Sequence, residues 1–175
     1  MSEPLEIHIA RPEDAAFIGH IYDEGIADGN ATFATGPHSR EERERWLTAR
    51  PANAPVFCAR LHEVQMGWSA LAPFSHRPWY EGVAEYTVYV ARHARGSGVG
   101  GQMLTHLVET APQYGYWKLV GMILADNAAG LRLAHAHGFR TVGTHRAHAT
   151  LAGEWRDVTV VERHLAVPPE ITPSA

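Results

Sequence analysis

Apolar and polar residues alternate in several short runs, and this period of two predicts β-strands. Two of the runs are separated only by the turn His62 to Val64, which predicts an antiparallel hairpin. The strongest strand propensity lies between Val83 and Val90, where β-branched and aromatic residues are concentrated. The predicted strands are Leu5 to Ile9, Val56 to Leu61, Gln65 to Leu71, Val83 to Val90, Lys118 to Leu124, Phe139 to Ala149 and Arg156 to Leu165.

Helices are predicted where apolar residues recur at helical spacing between these strands. The segment after Gly98 places Val99, Met103, Leu104 and Leu107 on one face of a helix. Ser39 and Glu42 form a capping-box pattern that starts a second, charged helix. Further helices are predicted from Asp14 and from Asn127 to His137. The order of elements predicts an α/β fold in which a mixed sheet of about six to seven strands is flanked by about four helices.

Length and composition set the domain organisation. The chain has 175 residues, of which 45% are hydrophobic, and this suits one globular domain with a helix-covered sheet. We assign residues 1–165 to that domain. Residues 166–175 contain three prolines and are expected to be a loose tail.

The net charge and the single cysteine limit the possible partners and cellular compartment of the protein. A formal net charge of -4 gives no basic field that would attract nucleic acid or an anionic membrane. The only cysteine, Cys58, cannot form an internal disulfide and lies in an apolar run that predicts a buried strand, which favours a cytoplasmic protein. The acidic N-terminal segment has the pattern of neither a secretory signal nor a membrane anchor.

The twelve histidines predict no metal site. No pair of them lies in an HExxH context, and a single cysteine rules out CxxC. His135 and His137 are two apart on a predicted helix, so their side chains point in different directions.

A glycine-rich segment between the strand ending at Val90 and the following helix is the main functional signal. Main-chain N–H groups and a helix N-terminus converge there, and this arrangement suits phosphate oxygens. The alternative is a flexible strand-to-helix turn without a ligand. The candidate phosphate-binding residues are Arg95, Gly96, Ser97, Gly98, Val99, Gly100 and Gly101.

The same glycines also match GxGxxG, the pattern of dinucleotide-binding folds. In those folds the loop follows the first strand and an acidic residue ends the next one, about 20 positions on. Here three predicted strands precede the strand that leads into the loop, and Asp126 comes about 25 to 30 residues later. A nucleotide-binding P-loop is excluded because no Lys-Ser or Lys-Thr follows the glycines.

The segment Arg95 to Gly100 resembles the Q/R-x-x-G-x-G/A signature of GNAT N-acetyltransferases, and the order of elements is similar to that family's fold. The resemblance implies that the loop holds the pyrophosphate of acetyl-coenzyme A. It also implies that Val88, Tyr89 and Val90 pair with the pantetheine arm. Asn127 either contacts that arm or only caps its helix.

Further stretches resemble the phosphinothricin and methionine sulfoximine acetyltransferase branch of that family, whose members usually form homodimers. The resemblance implies transfer of an acetyl group to the amino group of a small amino-acid-like substrate, with no metal. It covers Ile9 to about Leu165 and rests on Ile21-Tyr22, Glu24, Ile26, Thr32-Phe33, Pro37, Trp46, Gly67-Trp68, Phe74, Arg77, Tyr80, Glu85, Val88-Tyr89-Val90, Asn127, Gly138-Phe139, Gly153, Trp155 and Asp157-Val158.

Four side chains suit this chemistry. Glu85, inside a strand beside the predicted acyl site, is a candidate base for the attacking amine, and a solvent-facing strand glutamate is the alternative. Arg77 and Tyr80 share an aromatic loop and are candidates for binding a substrate carboxylate. Phe33 is a candidate wall of the substrate pocket or a loop anchor.

The sequence also departs from the branch. Ser75 stands where the resemblance implies a lysine that could contact the phosphinate, which argues against phosphinothricin itself. Gly130 stands where it implies a serine that could contact the coenzyme. Ala134 stands where the family has a tyrosine or histidine, so no acid for the departing thiolate is evident. A non-catalytic acetyl-coenzyme A sensor and a protein or peptide N-acetyltransferase therefore remain alternatives to the small-molecule enzyme.

Overall fold

The computed structural model describes residues 4–165, so the predicted tail at 166–175 lies outside the described residues. The strands are β1 (Glu6–Ile9), β2 (Val56–Leu61), β3 (Val64–Pro73), β4 (Val83–Val90), β5 (Lys118–Leu124), β6 (Arg140–Leu151) and β7 (Glu154–His164). The α-helices are α1 (Ala15–Asp28), α2 (Arg40–Thr48), α3 (Val99–Thr110) and α4 (Ala128–Ala136).

Across this described range the seven strands form one sheet in the order β1-β2-β3-β4-β5-β7-β6. Every neighbouring pair is antiparallel except β4 and β5, which are parallel. Parallel neighbours require a crossover connection, and α3 provides it. The predicted mixed sheet with four flanking helices is confirmed.

The sheet is covered on both faces. An ideal Cβ on Gly67 would lie 2.8 Å from Sδ of Met103 in α3. The next residue, Trp68, turns its ring to the other face and packs against Tyr22 of α1, with ring centroids 6.3 Å apart. Consecutive strand residues point to opposite faces, so α1 and α3 lie on opposite sides of the sheet. Cys58 is fully buried in β2, as its apolar context predicts.

Local signals placed most element ends correctly. The predicted capping box forms, with Oγ of Ser39 accepting from the amide of Glu42 and a carboxylate oxygen of Glu42 accepting from the amide of Ser39. At the turn that joins them, the last two strands run further than predicted, because Ala152 and Gly153 both adopt positive φ and bring Leu151 opposite Glu154. Alanine gives no sequence signal for such a turn.

Among the described helices, none has both the length and the apolar character needed to cross a membrane.

Candidate active site

Strands β4 and β5 diverge in the middle of the sheet. The pairing between them consists of Val83 with Lys118, Ala84 with Leu119 and Glu85 with Val120. From Tyr86 to Val90, β4 is paired only with β3, while β5 continues beside β7 as far as Leu124. We call the space between residues 86–90 of β4 and residues 121–124 of β5 the interstrand gap. The side of β4 that faces the gap has no strand paired with it there, so it can pair with an extended ligand.

Glu85 lies at the closed end of the interstrand gap. Its side chain is partly buried, whereas the preceding Ala84 is fully buried on the other face. Among the described residues, none donates a hydrogen bond to the Glu85 carboxylate or forms an ion pair with it. Burial raises the pKa of Glu85 above its ordinary value because the charged form loses hydration. A desolvated carboxylate without a partner is suited to accept a proton.

The glycine-rich loop lies beyond the other end of β4 and leads into α3. Gly96 and Gly98 have φ of 77° and 87°, the left-handed region that glycine enters without strain. A Cβ on Gly96 would meet no atom within 4 Å, so the outer side of the loop is open. The first N–H groups of α3 have no acceptor within the helix. This combination can bind a phosphate group through the main chain.

Gly100 and Gly101 are required for a different reason, the close approach of α3 to its neighbours. A Cβ on Gly100 would lie 3.3 Å from a methyl carbon of Leu133 and 3.4 Å from one of Val90. A Cβ on Gly101 would lie 3.2 Å from the ring of His137. The start of α3 is therefore held close to both β4 and α4.

The polar side chains of the loop bond to the protein itself. Nη1 of Arg95 donates to Oδ2 of Asp28 at 2.5 Å, and its Nε donates to the carbonyl of Val90 at 3.1 Å. Burial alone would raise the pKa of Asp28, but hydrogen bonds from Arg95 and Arg92 hold it below its ordinary value. Oγ of Ser97 donates to the carbonyl of Ala94. In this arrangement the phosphate-binding capacity of the loop rests on its main chain.

The other residues predicted to bind the coenzyme lie in two places, on β4 and at the start of α4. Val88, Tyr89 and Val90 form the part of β4 that borders the interstrand gap. The Tyr89 ring stacks on Trp68 with centroids 4.9 Å apart, and burial raises the pKa of its hydroxyl. The Asn127 side chain accepts from the amide of Gly130 at 2.9 Å, so it caps α4.

The predicted substrate residues Arg77 and Tyr80 lie on the connection from β3 to β4. Arg77 is exposed and has no acidic partner among residues 4–165. Tyr80 is 39% exposed, and its ring contacts Phe74 edge to face with centroids 6.4 Å apart. The base of the connection is closed by a hydrogen bond from the amide of Phe74 to the carbonyl of Val83. An exposed arginine that is close along the chain to Glu85 can bind a carboxylate.

Phe33 lies in the connection between α1 and α2. This connection is tied to the sheet by the Tyr89 hydroxyl, which donates to the carbonyl of Ala31 at 3.0 Å. It is tied to α1 by the Tyr22 hydroxyl, which lies 2.7 Å from Oγ1 of Thr32. Because residues 85 and 89 are four apart on one strand, Glu85 and Tyr89 point to the same face. The connection carrying Phe33 therefore lies on the same side of the sheet as Glu85.

Sequence reasoning missed Tyr86 and Gly121. An ideal Cβ on Gly121 in β5 would lie only 2.6 Å from Cε1 and 2.9 Å from Cζ of the Tyr86 ring. The ring of Tyr86, which belongs to β4, thus extends over β5 at the closed end of the interstrand gap. An isolated glycine within a strand run is the one signal that could have indicated this close approach.

A second cluster of polar side chains lies near the edge of the sheet, away from the gap. His8, Asp14 and Cys58 place potential metal-ligand atoms within 4.8 Å of one another, although they are distant in sequence. The Asp14 carboxylate accepts from the amide of Arg11 at 2.8 Å and lies 3.2 Å from Nε2 of His8. Two strands separate β1 from β4, so this cluster has no part in the interstrand gap.

Comparisons with known proteins agree with this geometry. The acetyltransferase (GNAT) domain family matches residues 7–160. Phosphinothricin N-acetyltransferase of Streptomyces coelicolor is 31% identical over 87% of this chain and 92% of its own length. L-methionine sulfoximine/L-methionine sulfone acetyltransferase of Salmonella typhimurium is 26% identical over 92% of this chain and 95% of its own.

A solved structure shows the same fold with a coenzyme bound. The GNAT superfamily phosphinothricin acetyltransferase of Sinorhizobium meliloti, in complex with AcCoA, superposes with a TM-score of 0.89 at 25% identity. The match covers 98% of this chain and 94% of that one. The family match, the relatives and the shared architecture together show that this chain belongs to the GNAT family of acetyltransferases.

Proposed function

We propose that this protein transfers the acetyl group of acetyl-coenzyme A to the amino group of a small amino-acid-like substrate. The observation that supports this most strongly is the position of Glu85, an unpaired and partly desolvated carboxylate at the closed end of the interstrand gap. We place the activity in a single domain formed by residues 1–165.

Acetyl-coenzyme A fits the described residues in two respects. Its pantetheine arm is extended and amide-bearing, which suits the stretch Val88, Tyr89 and Val90, where β4 has no strand paired on the side facing β5. Its pyrophosphate is anionic, which suits the open loop at Gly96 and the start of α3. The coenzyme supplies an activated acetyl group as a thioester. Asn127, which already caps α4, would contribute by fixing the start of that helix.

The chain's own residues then perform direct transfer in a ternary complex. Glu85 takes a proton from the substrate ammonium or amine, either directly or through a water molecule, and so produces the nucleophile. Main-chain donors on β4 orient the thioester and stabilise negative charge on its carbonyl oxygen. No covalent enzyme intermediate is needed, and Cys58 is buried in β2, away from the gap.

Two observations support an amino-acid-like acetyl acceptor: the side chains on the connection between β3 and β4, and the names of the relatives. Arg77 offers a bidentate donor for an α-carboxylate, Tyr80 adds a hydrogen bond and Phe33 borders the aliphatic part of the substrate. The relatives act on phosphinothricin and on methionine sulfoximine or sulfone, according to their names. We propose these compounds or related amino acids as substrates, with phosphinothricin disfavoured because Ser75 lacks a cationic group.

We further propose a cytoplasmic homodimer. Strand β6 is the edge of the sheet, and its residues from Arg140 to His148 are exposed. Val142 is 51% exposed and Trp155 on the neighbouring strand is 69% exposed, and a second copy of the chain would cover them. The unpaired Cys58 favours a reducing compartment.

Steady-state release of coenzyme A tests the proposed function. Purified protein is given acetyl-coenzyme A with free amino acids, methionine sulfone, methionine sulfoximine or phosphinothricin, and separately with peptides that have free N-termini or lysines. Thiol release with the amino acids and not with the peptides supports the proposal. Release with peptides alone indicates a protein N-acetyltransferase, and coenzyme binding without release for any acceptor indicates a sensor.

A further inference from the structure

The ring of Tyr86 closes the interstrand gap from the face opposite Glu85. The two residues are consecutive on β4, so their side chains point to opposite faces of the sheet. Glu85 is also the last residue of β4 paired with β5, so Tyr86 is the first residue that borders the gap. The edge of the ring that bears the hydroxyl lies over Gly121, the first residue of β5 beyond the pairing.

The position of the ring is fixed by its surroundings. Phe139 packs against it with centroids 4.9 Å apart and planes inclined by 51°. A side chain larger than hydrogen at residue 121 would collide with the ring, so Gly121 provides the room that Tyr86 occupies. These contacts hold the ring across the closed end of the gap rather than along the strand.

The hydroxyl of Tyr86 has no hydrogen-bond partner within residues 4–165, although the side chain is largely buried. Two neighbouring tyrosines differ in this respect. The hydroxyl of Tyr22 in α1 is hydrogen-bonded to Thr32, and the hydroxyl of Tyr89 in β4 donates to the carbonyl of Ala31. Burial raises the pKa of Tyr86, so its hydroxyl keeps its proton throughout the neutral range and remains a donor.

Helix α4 brings only apolar side chains to the cluster in which Tyr86 packs. Those side chains are Leu131, Leu133 and Ala134, none of which can donate a hydrogen bond. Tyr86 brings a hydroxyl to the same cluster from β4.

We infer that Tyr86 is a catalytic residue whose hydroxyl donates a hydrogen bond to the sulfur of the departing coenzyme A. This inference rests on the proposed function. In the step concerned, the amine nitrogen forms a bond to the acetyl carbon and the C–S bond breaks, with its electron pair passing to sulfur. Glu85 accepts the proton lost by nitrogen. The thiolate leaves as the acceptor of the Tyr86 hydrogen bond and takes its proton from solvent after release.

Tyr86→Phe tests the inference because it removes only the hydroxyl and keeps the ring that packs against Gly121 and Phe139. We expect kcat to fall about 10- to 100-fold, since a donor to developing charge is lost. The KM for acetyl-coenzyme A should change by less than about threefold, because the bond forms mainly as charge develops. Tyr114→Phe is the matched control: Tyr114 is also partly buried but lies outside the gap, and its variant should retain wild-type turnover.

Changing the thiol leaving group distinguishes a catalytic role of Tyr86 from a role in packing alone. An aryl thioester such as S-acetyl thiophenol releases a much weaker base than coenzyme A and needs less stabilisation of its sulfur. The ratio of wild-type to Tyr86→Phe activity should therefore shrink towards 1 with the aryl thioester. An equal loss with both thioesters, or no loss with acetyl-coenzyme A, would overturn the inference.

Failure of the proposed function would give a different result. If the wild-type protein released no coenzyme A with any amine, the function itself would be wrong. If the wild type turned over while Tyr86→Phe matched it, only the role of Tyr86 would be wrong. Circular dichroism and the thermal midpoint of each variant establish that both are folded before rates are compared.

Discussion

Arg95 and Asp28 form an ion pair of 2.5 Å that joins the glycine-rich loop to the end of α1. Arg92 binds the other oxygen of the same carboxylate at 2.8 Å. The resemblance to the family implies that Arg95 binds the coenzyme phosphates. That role stays a prediction, and in this structure the Arg95 guanidinium binds Asp28 instead. A guanidinium that already has a carboxylate partner adds little to the binding of a second anion.

Arg95→Ala should therefore change the dissociation constant for acetyl-coenzyme A by less than about threefold, because main-chain donors bind the phosphate. The thermal midpoint should fall slightly, since the ion pair is mostly exposed. Calorimetric titration measures the affinity, and Arg92→Ala is the matched control because it loses the same partner. A tenfold or larger loss for Arg95→Ala alone would mean that Arg95 leaves Asp28 and binds the phosphates.

Gly96 allows charge to be tested separately from backbone strain. Aspartate and asparagine both tolerate positive φ better than other residues, and no atom lies within 4 Å of the position their Cβ would take. Gly96→Asp should weaken acetyl-coenzyme A binding by about tenfold more than Gly96→Asn, because only aspartate places a negative charge beside phosphate. The difference should shrink at high salt. Equal affinities for the two folded variants would exclude the loop as the phosphate site.

Arg77 is expected to act on the acceptor rather than on the coenzyme. Arg77→Ala should lower kcat/KM roughly 30- to 150-fold for amines that carry a carboxylate, mostly through KM, because a charge-assisted bidentate contact is lost. Amines without a carboxylate should be affected little. Both classes are compared in the same thiol-release assay, and an equal loss in the two would show that Arg77 has only a structural role.

If a second copy of the chain covers the exposed strand β6, as proposed, the protein should be a dimer in solution. Light scattering at micromolar concentrations should give twice the 19.3 kDa mass of the chain. Trp155→Glu would place a charge in the proposed interface and should shift the mass towards the monomer, whereas Trp79→Glu, on the exposed loop before β4, should not. A wild-type monomer at all concentrations would contradict the proposed assembly.

The sequence predicted the parts of the fold that depend on local pattern. The concentration of β-branched and aromatic residues identified β4, and the glycines before Val99 identified the start of α3. The Ser39 and Asn127 caps were also predictable, because capping depends on residues within one turn. The sequence could not predict that pairing between β4 and β5 would stop at Glu85, since register depends on the twist of the whole sheet.

Contacts between side chains that are far apart in sequence could not be predicted from the sequence either. Nothing near Arg95 indicates that Asp28, 67 residues away, would bind it. Tyr86 and Gly121 approach each other because two strands become parallel neighbours through α3, and single-sequence patterns contain no information about such pairs. The predicted roles of Glu85, Arg77 and Phe33 stay predictions. Arg77 lies on the connection that precedes β4, whereas the connection carrying Phe33 is bonded to Tyr89 near the other end of the strand.

Burial of Glu85 gives a prediction about stability as well as activity. A carboxyl whose pKa is raised on folding stabilises the protein fully below its unfolded pKa, and that stabilisation is lost as pH rises through the folded pKa. At neutral pH the ionised Glu85 therefore opposes folding. Glu85→Gln should raise the thermal midpoint at pH 7 and leave it unchanged or lower in acid, as differential scanning calorimetry would show. A lower midpoint at pH 7 would mean that the carboxylate has an unseen stabilising partner.

The pH dependence of kcat/KM for the wild type and Glu85→Gln tests the central claim most directly. In the wild type, kcat/KM, which reports the free enzyme, should rise with pH through the raised pKa of Glu85, because only the ionised carboxylate accepts the proton. Glu85→Gln should lose this limb and turn over about 10²-fold more slowly or worse, while still binding acetyl-coenzyme A in calorimetry. Near wild-type turnover by Glu85→Gln from about pH 6 to about pH 9 would contradict the account and place the base elsewhere.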